Sequence, residues 1–272
     1  MTVKNRSSAH ALSVAVKAAR CAGEILLKSW GRLRKKNIHR KEGMDWVTDV
    51  DRAAEKAILR IISTEFPDHT FKAEESAPTA AAHPMQWLID PLDGTANYIH
   101  GFPLFCVSIA LLRRGVLEVG VIFDPLREEL FTAERSKGAY LNGRPISVSP
   151  HAALADSMIS TGFPFRAKHT LPVYLESFRR MFLKTGLIRR GGSAAIDLAS
   201  TACGRFEGFW EMALSPWDMA AGILLIQEAG GVATDFFGGD HYLEKGHVVA
   251  GNPGVHKEMV RILTPLFRGK IS

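Results

Sequence analysis

Apolar residues recur three or four positions apart over Ser7–Trp30, at Leu12, Val16, Ala19, Gly23, Leu26 and Leu27. That spacing predicts an amphipathic helix, with Ser7 or Ser8 as its cap. A second helix is predicted from about Asp49–Asp51, with Ala54, Ala57, Ile58, Ile61 and Ile62 on one face and a stop before Pro67. The run Gln86–Asp90 reads as a short buried strand ended by Pro91. Phe105–Leu112 and Val116–Phe123 flank Arg113-Arg114-Gly115 and predict an antiparallel hairpin. Glu129–Ala133 and Ala139–Val148 extend that sheet through turns at Gly138 and Asn142-Gly143. Beyond about Ser149 the texture changes. Helices over Pro172–Thr185, Ala194–Gly204 and Trp217–Ala229 alternate with strands over Ser157–Thr161, Gly208–Glu211, Val232–Thr234 and Val248–Ala250. The expectation is an α+β lobe over residues 1–148, an α/β lobe over 149–272, and a site at the cleft between them.

Composition narrows the class. The 272 residues are 46% hydrophobic and 23% charged, as in an ordinary globular protein. Cys21, Cys106 and Cys203 lie far apart with no C-x-x-C spacing, which suggests neither a disulfide framework nor a zinc site and fits a reducing, cytoplasmic compartment. No apolar run is long enough for a membrane span, and the N-terminus lacks the apolar stretch of a signal peptide. Lys and Arg total 34 against 28 acidic residues, and six of the basic ones fall between Arg32 and Lys41. Setting those six aside leaves 28 against 28, so the excess is one local run. The run fits a solvated loop, a contact for nucleic acid or transcription machinery, or a device drawing anionic substrates to a cleft. Aromatic residues do not alternate with it, which argues against a single-strand stacking groove.

The candidate chemistry is acidic. An apolar strand delivers Asp90, Pro91 breaks the ladder, and Asp93-Gly94-Thr95 opens a helix-like turn. Carboxylates beside a helix start suit a metal-bound phosphate; Asp93 also fits an ordinary turn residue. Asp45, Asp49 and Asp51 crowd ahead of the second helix, where Asp49 or Asp51 is explained as a cap and Asp45 is not. Glu74 and Glu75 are adjacent, so at most one faces a shared site. Asp218 lies in the first turn of its helix, where an acid is also unremarkable. Two divalent ions in one site would require several such carboxylates together. No H-E-x-x-H, G-x-x-x-x-G-K-[ST] or G-x-S-x-G motif occurs, and the ten histidines show no ligand spacing.

Five stretches in order now resemble the inositol monophosphatase family: Asp45–Asp51, Glu74–Ser76, Trp87–Asn97, Gly192–Leu198 and Pro216–Gly222, followed by Glu228–Gly231. Departures are Ala73, where a glycine often precedes the glutamates, and Trp46 in place of a smaller residue. The resemblance implies a layered α-β-α-β-α sandwich of the inositol monophosphatase/fructose-1,6-bisphosphatase type, a homodimer, lithium sensitivity and a Mg²⁺-dependent phosphomonoesterase. It implies that Glu74, Asp90 and the Leu92 carbonyl hold one magnesium. Asp90, Asp93 and Asp218 would hold a second, and a third, weaker ion would sit near Glu74. Asp45, Thr95 and Glu74 would activate the attacking water, with no protein nucleophile. Leu92, Asp93, Gly94 and Thr95 would cradle the phosphate. Arg189, Gly192, Ser193, Ala194, Glu211 and Asp218 would meet the substrate's alcohol side. Glu211 favours a phosphorylated polyol, myo-inositol 1-phosphate first, because a carboxylate accepts from hydroxyls and repels a second phosphate. Histidinol phosphate, fructose 1,6-bisphosphate, a nucleotide 3′-phosphate and NADP are the alternatives within the fold, with Phe163–His169 among the deciding residues. An RNA- or transcription-associated adaptor using residues 32–41 is the alternative of another class.

Overall fold

The computed structural model describes residues 7–40, 46–78 and 83–271. Helix α1 (Ser8–Ser29) is capped by the Ser7 hydroxyl, which accepts from the His10 amide. A short hairpin, β1 (Ile38–Arg40) with β2 (Trp46–Thr48), leads into α2 (Asp49–Glu65). Part of the basic run predicted as a loop is therefore ordered: Lys35–Asn37 form a 3₁₀ turn and Ile38–Arg40 a strand. Then follow β3 (Thr70–Ala73), β4 (Met85–Asp93), α3 (Thr95–Ile99), β5 (Cys106–Arg113), β6 (Val116–Asp124), β7 (Glu129–Glu134), β8 (Ala139–Leu141) and β9 (Arg144–Pro145). These strands form a seven-stranded sheet in sequence order, antiparallel except for the β3–β4 pair.

The remainder comprises β10 (Met158–Thr161), α4 (Leu171–Thr185), β11 (Leu187–Arg189), α5 (Ala194–Ala202), β12 (Gly208–Met212) and α6 (Pro216–Glu228). It ends with β13 (Val232–Thr234), α7 (Tyr242–Lys245), β14 (His247–Gly251) and α8 (Pro253–Phe267). Its five strands run β11-β10-β12-β14-β13 in a mixed sheet.

Alternation along the strands explains the layers. On β4 and β5, Trp87, Ile89, Val107, Ile109 and Leu111 pack with α1 and α2. Their neighbours Leu88, Cys106, Ala110 and Leu112 face α5 and α6 instead. Both faces of this sheet are buried, so its strands read as nearly continuous apolar runs. The far face of the second sheet packs against α4 and α8 through Tyr174, Met181, Trp210, Met259 and Leu263. The order is α1/α2, sheet, α5/α6, sheet, α4/α8: the layered α-β-α-β-α sandwich. Among the described residues, no helix is long and apolar enough to cross a membrane.

One irregularity matters most. Pro91 does not end β4. The strand continues to Asp93 with a bulge: Asp90 pairs with Ser108 and Asp93 with Cys106, three residues against two. In a regular strand Asp90 and Asp93 would point to opposite faces. The extra residue puts both opposite positions that share a face, so both carboxylates turn toward α5 and α6. Proline is tolerated there because a bulge needs no ladder donor at that residue.

Candidate active site

Asp90, Leu92, Asp93, Gly94 and Thr95 line a cavity of about 330 Å³, together with Glu74, Asn97, Arg166, Arg190, Gly192, Ala194, Glu211 and Asp218. The structure thus gathers Glu74, Asp90, Asp93 and Asp218 from β3, β4 and α6. Each is fixed locally. The Glu74 amide donates to Ile89 O (3.1 Å), extending the β3–β4 ladder. Behind it, Glu55 of α2 is buried and accepts from the Glu75 amide at 2.8 Å and from the Ser76 hydroxyl. Asp93 accepts from Ser193 Oγ (2.6 Å) and the Ala195 amide (2.7 Å), which joins the β4 bulge to the start of α5. Asp218 sits in the capping box of Ser215 and accepts from its amide at 2.8 Å. The Ser108 hydroxyl donates to Trp217 O at 3.1 Å, tying that helix start to β5.

Crowding shows in the acidities. Burial, then Glu74, Asp93 and Asp218, push Asp90 well above its ordinary value. Burial raises Asp93 to about 6 against the hydrogen bonds from Ser193 and Ala195. Burial raises Asp218 to about 7, with Arg166 opposing the rise. Four carboxylates sharing one cavity lack matching positive charge, and their donors are oxygen alone; that is the donor set hard divalent cations take. The carboxylates are not closed around a point as they stand: among the described residues, no three Asp, Glu, His or Cys side chains could hold an ion. Their oxygens are engaged by protein donors instead, including Arg166, whose guanidinium lies 2.9 Å from Asp218 and 3.7 Å from Glu74.

Asp45 lies outside the described residues. Among the described residues, the acid beside Thr95 is Asp51: Thr95 Oγ1 lies 3.1 Å from Asp51 Oδ1 and 2.9 Å from Leu92 O. Asp51 is fully buried, and burial lifts it to about 6 despite hydrogen bonds from Thr48. It is also the third residue of a capping box with Thr48, so a cap and a site residue coincide in one side chain. Sequence patterning sees the cap; the second carboxylate oxygen reaching Thr95 is a tertiary fact. Asp49 is exposed and accepts from Asn37 (2.9 Å), with the His39 ring at the same distance. Glu74 faces the cavity while Glu75 lines a separate surface hollow with Arg52, Lys56 and Arg60, as opposite pleats require.

Arg189 is exposed and its guanidinium folds back onto Ile188 O (3.3 Å); the cavity is lined by Arg190. Ser193 acts through Asp93 and as the α5 cap, accepting from the Ile196 amide at 3.3 Å. Glu211 is buried on β12, pushed well up by burial and by Asp197, with Arg190 moderating it. Gly162 makes room for it, since a Cβ there would stand 1.9 Å from the Glu211 carboxylate. Gly94 carries φ +92°, and a Cβ would press on Leu104 O at 2.9 Å, so glycine is required at the turn into α3. Trp46, at the cavity rim, carries the Arg40 guanidinium 5.0 Å from its ring centre.

The model of the inositol monophosphatase family matches residues 8–265 of this chain. A relative named Nus factor SuhB from Pseudomonas aeruginosa is 46% identical over 259 residues, covering 93% of this chain and 96% of that protein. The crystal structure of extragenic suppressor protein suhB from Bartonella henselae is 41% identical with a TM-score of 0.90, covering 93% of this chain and 98% of that one. Inositol monophosphatase from Anabaena (Nostoc) sp. PCC 7120 is 41% identical with a TM-score of 0.83, covering 93% of this chain and 95% of that one.

Proposed function

Because the chain belongs to the inositol monophosphatase family, we propose that its cavity hydrolyses phosphate monoesters of polyols, myo-inositol 1-phosphate foremost. The observation that carries the reading is the oxygen-only cluster of buried Asp90 and Asp218 with half-buried Glu74 and Asp93, beside the Thr95–Asp51 pair. In this reading Glu74, Asp90 and the Leu92 carbonyl would hold one magnesium ion. Asp90, Asp93 and Asp218 would hold a second, with a third near Glu74. Bound there, the ions supply charge that acidifies water and neutralises the phosphoryl oxygens.

The chain's own residues do the rest. Asp51, ionised above about pH 6, accepts the Thr95 hydroxyl hydrogen. As the Thr95 proton passes to Asp51, the Thr95 oxygen takes one from the attacking water, with Glu74 orienting that water; the water oxygen bonds to phosphorus, the ester P–O bond breaks, and the departing alkoxide takes a proton from solvent water. Gly94 and Thr95 border the phosphate at the start of α3. Glu211 and the Gly192–Ala194 turn border the alcohol; burial favours the neutral carboxyl, Arg190 favours the ionised one, and the ionised Glu211 accepts from hydroxyls. The two lobes, 1–148 and 149–272, act as one catalytic unit, because Asp218 and Glu211 come from the second and the other ligands from the first.

Two further parts of the reading have their own support. Leu171, Leu175 and Phe182 (52% exposed) lie along one exposed stripe of α4, which fits a homodimer contact. Free Cys21, Cys106 and Cys203 fit a cytoplasmic setting. A second role in transcription is favoured by the name of the Pseudomonas aeruginosa relative and by exposed Arg32, Arg34, Lys35 and Lys36. Phosphate release from a panel of esters, with and without Mg²⁺, tests the enzyme; Mg²⁺-dependent release fastest from inositol 1-phosphate is expected. No release from any ester would reject the reading, and a filter-binding titration with RNA across salt tests the second role.

A further inference from the structure

Arg166 sits where the carboxylate cluster needs positive charge. Its guanidinium approaches Asp218 Oδ2 through one nitrogen (2.9 Å) and Glu74 Oε1 through another (3.7 Å). The side chain is 28% exposed and lies against the Phe165 ring, 4.9 Å from its centre. It comes from the segment joining β10 to α4, which is held by short-range turns such as Phe165 N to Phe163 O (2.8 Å) and Ala167 N to Pro164 O (3.0 Å). No strand pairing fixes residues 162–167, so the arm can move without breaking a sheet.

The two carboxylates it spans belong to different cation sets in the reading above, Glu74 to one and Asp218 to the other. A planar fork with several donors can serve both at once, whereas a compact ammonium cannot. We propose that Arg166 is the resident counter-cation of the cluster, which competes with divalent ions for Glu74 and Asp218 and withdraws with its loop when they bind. This inference rests on the metal-site reading. Guanidinium contact quiets the mutual repulsion of the four crowded carboxylates, and the same contact must be given up before an ion can take those oxygens. The fork stays protonated across the usable pH range, so the competition persists at every pH where the acids are ionised. Arg166 thereby sets the Mg²⁺ concentration at which the site fills.

Calorimetric Mg²⁺ titration of the full-length protein tests this without any turnover. Arg166→Gln is expected to bind Mg²⁺ roughly tenfold more tightly, the sign a nearby competing charge requires. Its melting temperature in chelator should fall, because the repulsion is uncovered. Arg166→Lys, which keeps the charge but not the fork, should fall between wild type and Arg166→Gln. Lys168→Gln removes an exposed charge from the same segment and should leave the affinity unchanged. Equal or weaker Mg²⁺ affinity in Arg166→Gln, or equal tightening in Lys168→Gln, would overturn the competition while leaving the metal site standing. No Mg²⁺ binding by wild type or any variant would instead remove the site, and the inference with it.

Discussion

Asp235 and Asp90 are both buried aspartates, and the chain treats them in opposite ways. Asp235, after β13, accepts from the Phe237 amide (2.8 Å) and the Gly239 amide (2.9 Å), and Lys245 stands 3.4 Å away. Burial works to raise it, but those donors prevail and hold it below its ordinary value. Asp124 is satisfied likewise, by the Leu126 amide (2.9 Å), the Arg127 amide (3.1 Å) and the Arg127 guanidinium (2.6 Å). Asp90 receives the Leu92 amide at 2.9 Å and otherwise faces Glu74, Asp93 and Asp218, which drive it up. A buried acid surrounded by donors supports a turn. A buried acid surrounded by other acids calls for a cation, and that difference marks the site.

Substitutions should divide along the same line. Asp90→Asn is expected to cut kcat/KM roughly a thousandfold, about 4 kcal/mol at 1.36 kcal/mol per decade, for loss of charge shared between two ions. Its melting temperature in chelator should hold or rise, since a repulsive charge is gone; near-normal turnover by the folded variant would refute the bridging role. Thr95→Ala should lower kcat about a hundredfold with the Mg²⁺ requirement retained, the scale of a lost proton relay. Unchanged kcat would remove Thr95 from that task. Asp235→Asn should do the reverse, costing about 1–3 kcal/mol of stability in denaturant melts while activity per folded molecule stays put.

The pH dependence separates the two kinds of acid again. Asp51 and Asp93 stand at about 6 and Asp218 at about 7 in the folded chain, all above their ordinary value of 3.8. Between roughly pH 4 and 7 the folded chain therefore holds more protons than the unfolded one, and these acids cost stability as pH rises. Asp235, held below its ordinary value, contributes stability above it that is lost as pH falls. His69 and His256, lowered to about 4 mainly by burial, also lose stability as pH drops below the ordinary 6.5. Wild type and Asp218→Asn share those histidines. In chelator, raising pH from about 5.5 to 7.5 should therefore depress the melting temperature of wild type more than that of Asp218→Asn; equal responses would refute the crowding. The smallest effect belongs to the exposed basic turn: neutralising Lys35 and Lys36 should lower kcat/KM a few-fold and flatten its salt dependence.

The elements were largely legible from apolar runs bounded by turns and from the single apolar faces of α1 and α2, whereas the layered order came from the family resemblance, since α5 and α6 are buried all round between the sheets. Helix α8 escaped notice, since Pro253 and Pro265 read as breakers; Pro253 in fact opens the helix behind the Asn252 cap, and Pro265 lies in its last turn. The β4 bulge was equally hidden, because Pro91 looks like a strand end until Ser108 and Cys106 show the register continuing. At the site, the acidic residues near element ends were candidates, the family resemblance singled out Glu74, Asp90, Asp93, Thr95 and Asp218, and the fold brings these five to one cavity. Arg190 was missed, Asp51 was named only as a possible cap and Arg166 only as part of Phe163–His169, because their partners come from distant segments, while Glu55 acts from behind Glu74 by holding the Glu75 amide. Asp51 looks like a helix cap and Arg166 like a loop cation until Thr95 and Asp218 are placed against them.

Crystals of the protein soaked in Mn²⁺, a divalent cation of similar oxygen preference, would test the central claim most directly through anomalous scattering. Two peaks about 4 Å apart, both in contact with the Asp90 carboxylate, are expected. Peaks elsewhere, or none against Asp90, would contradict it.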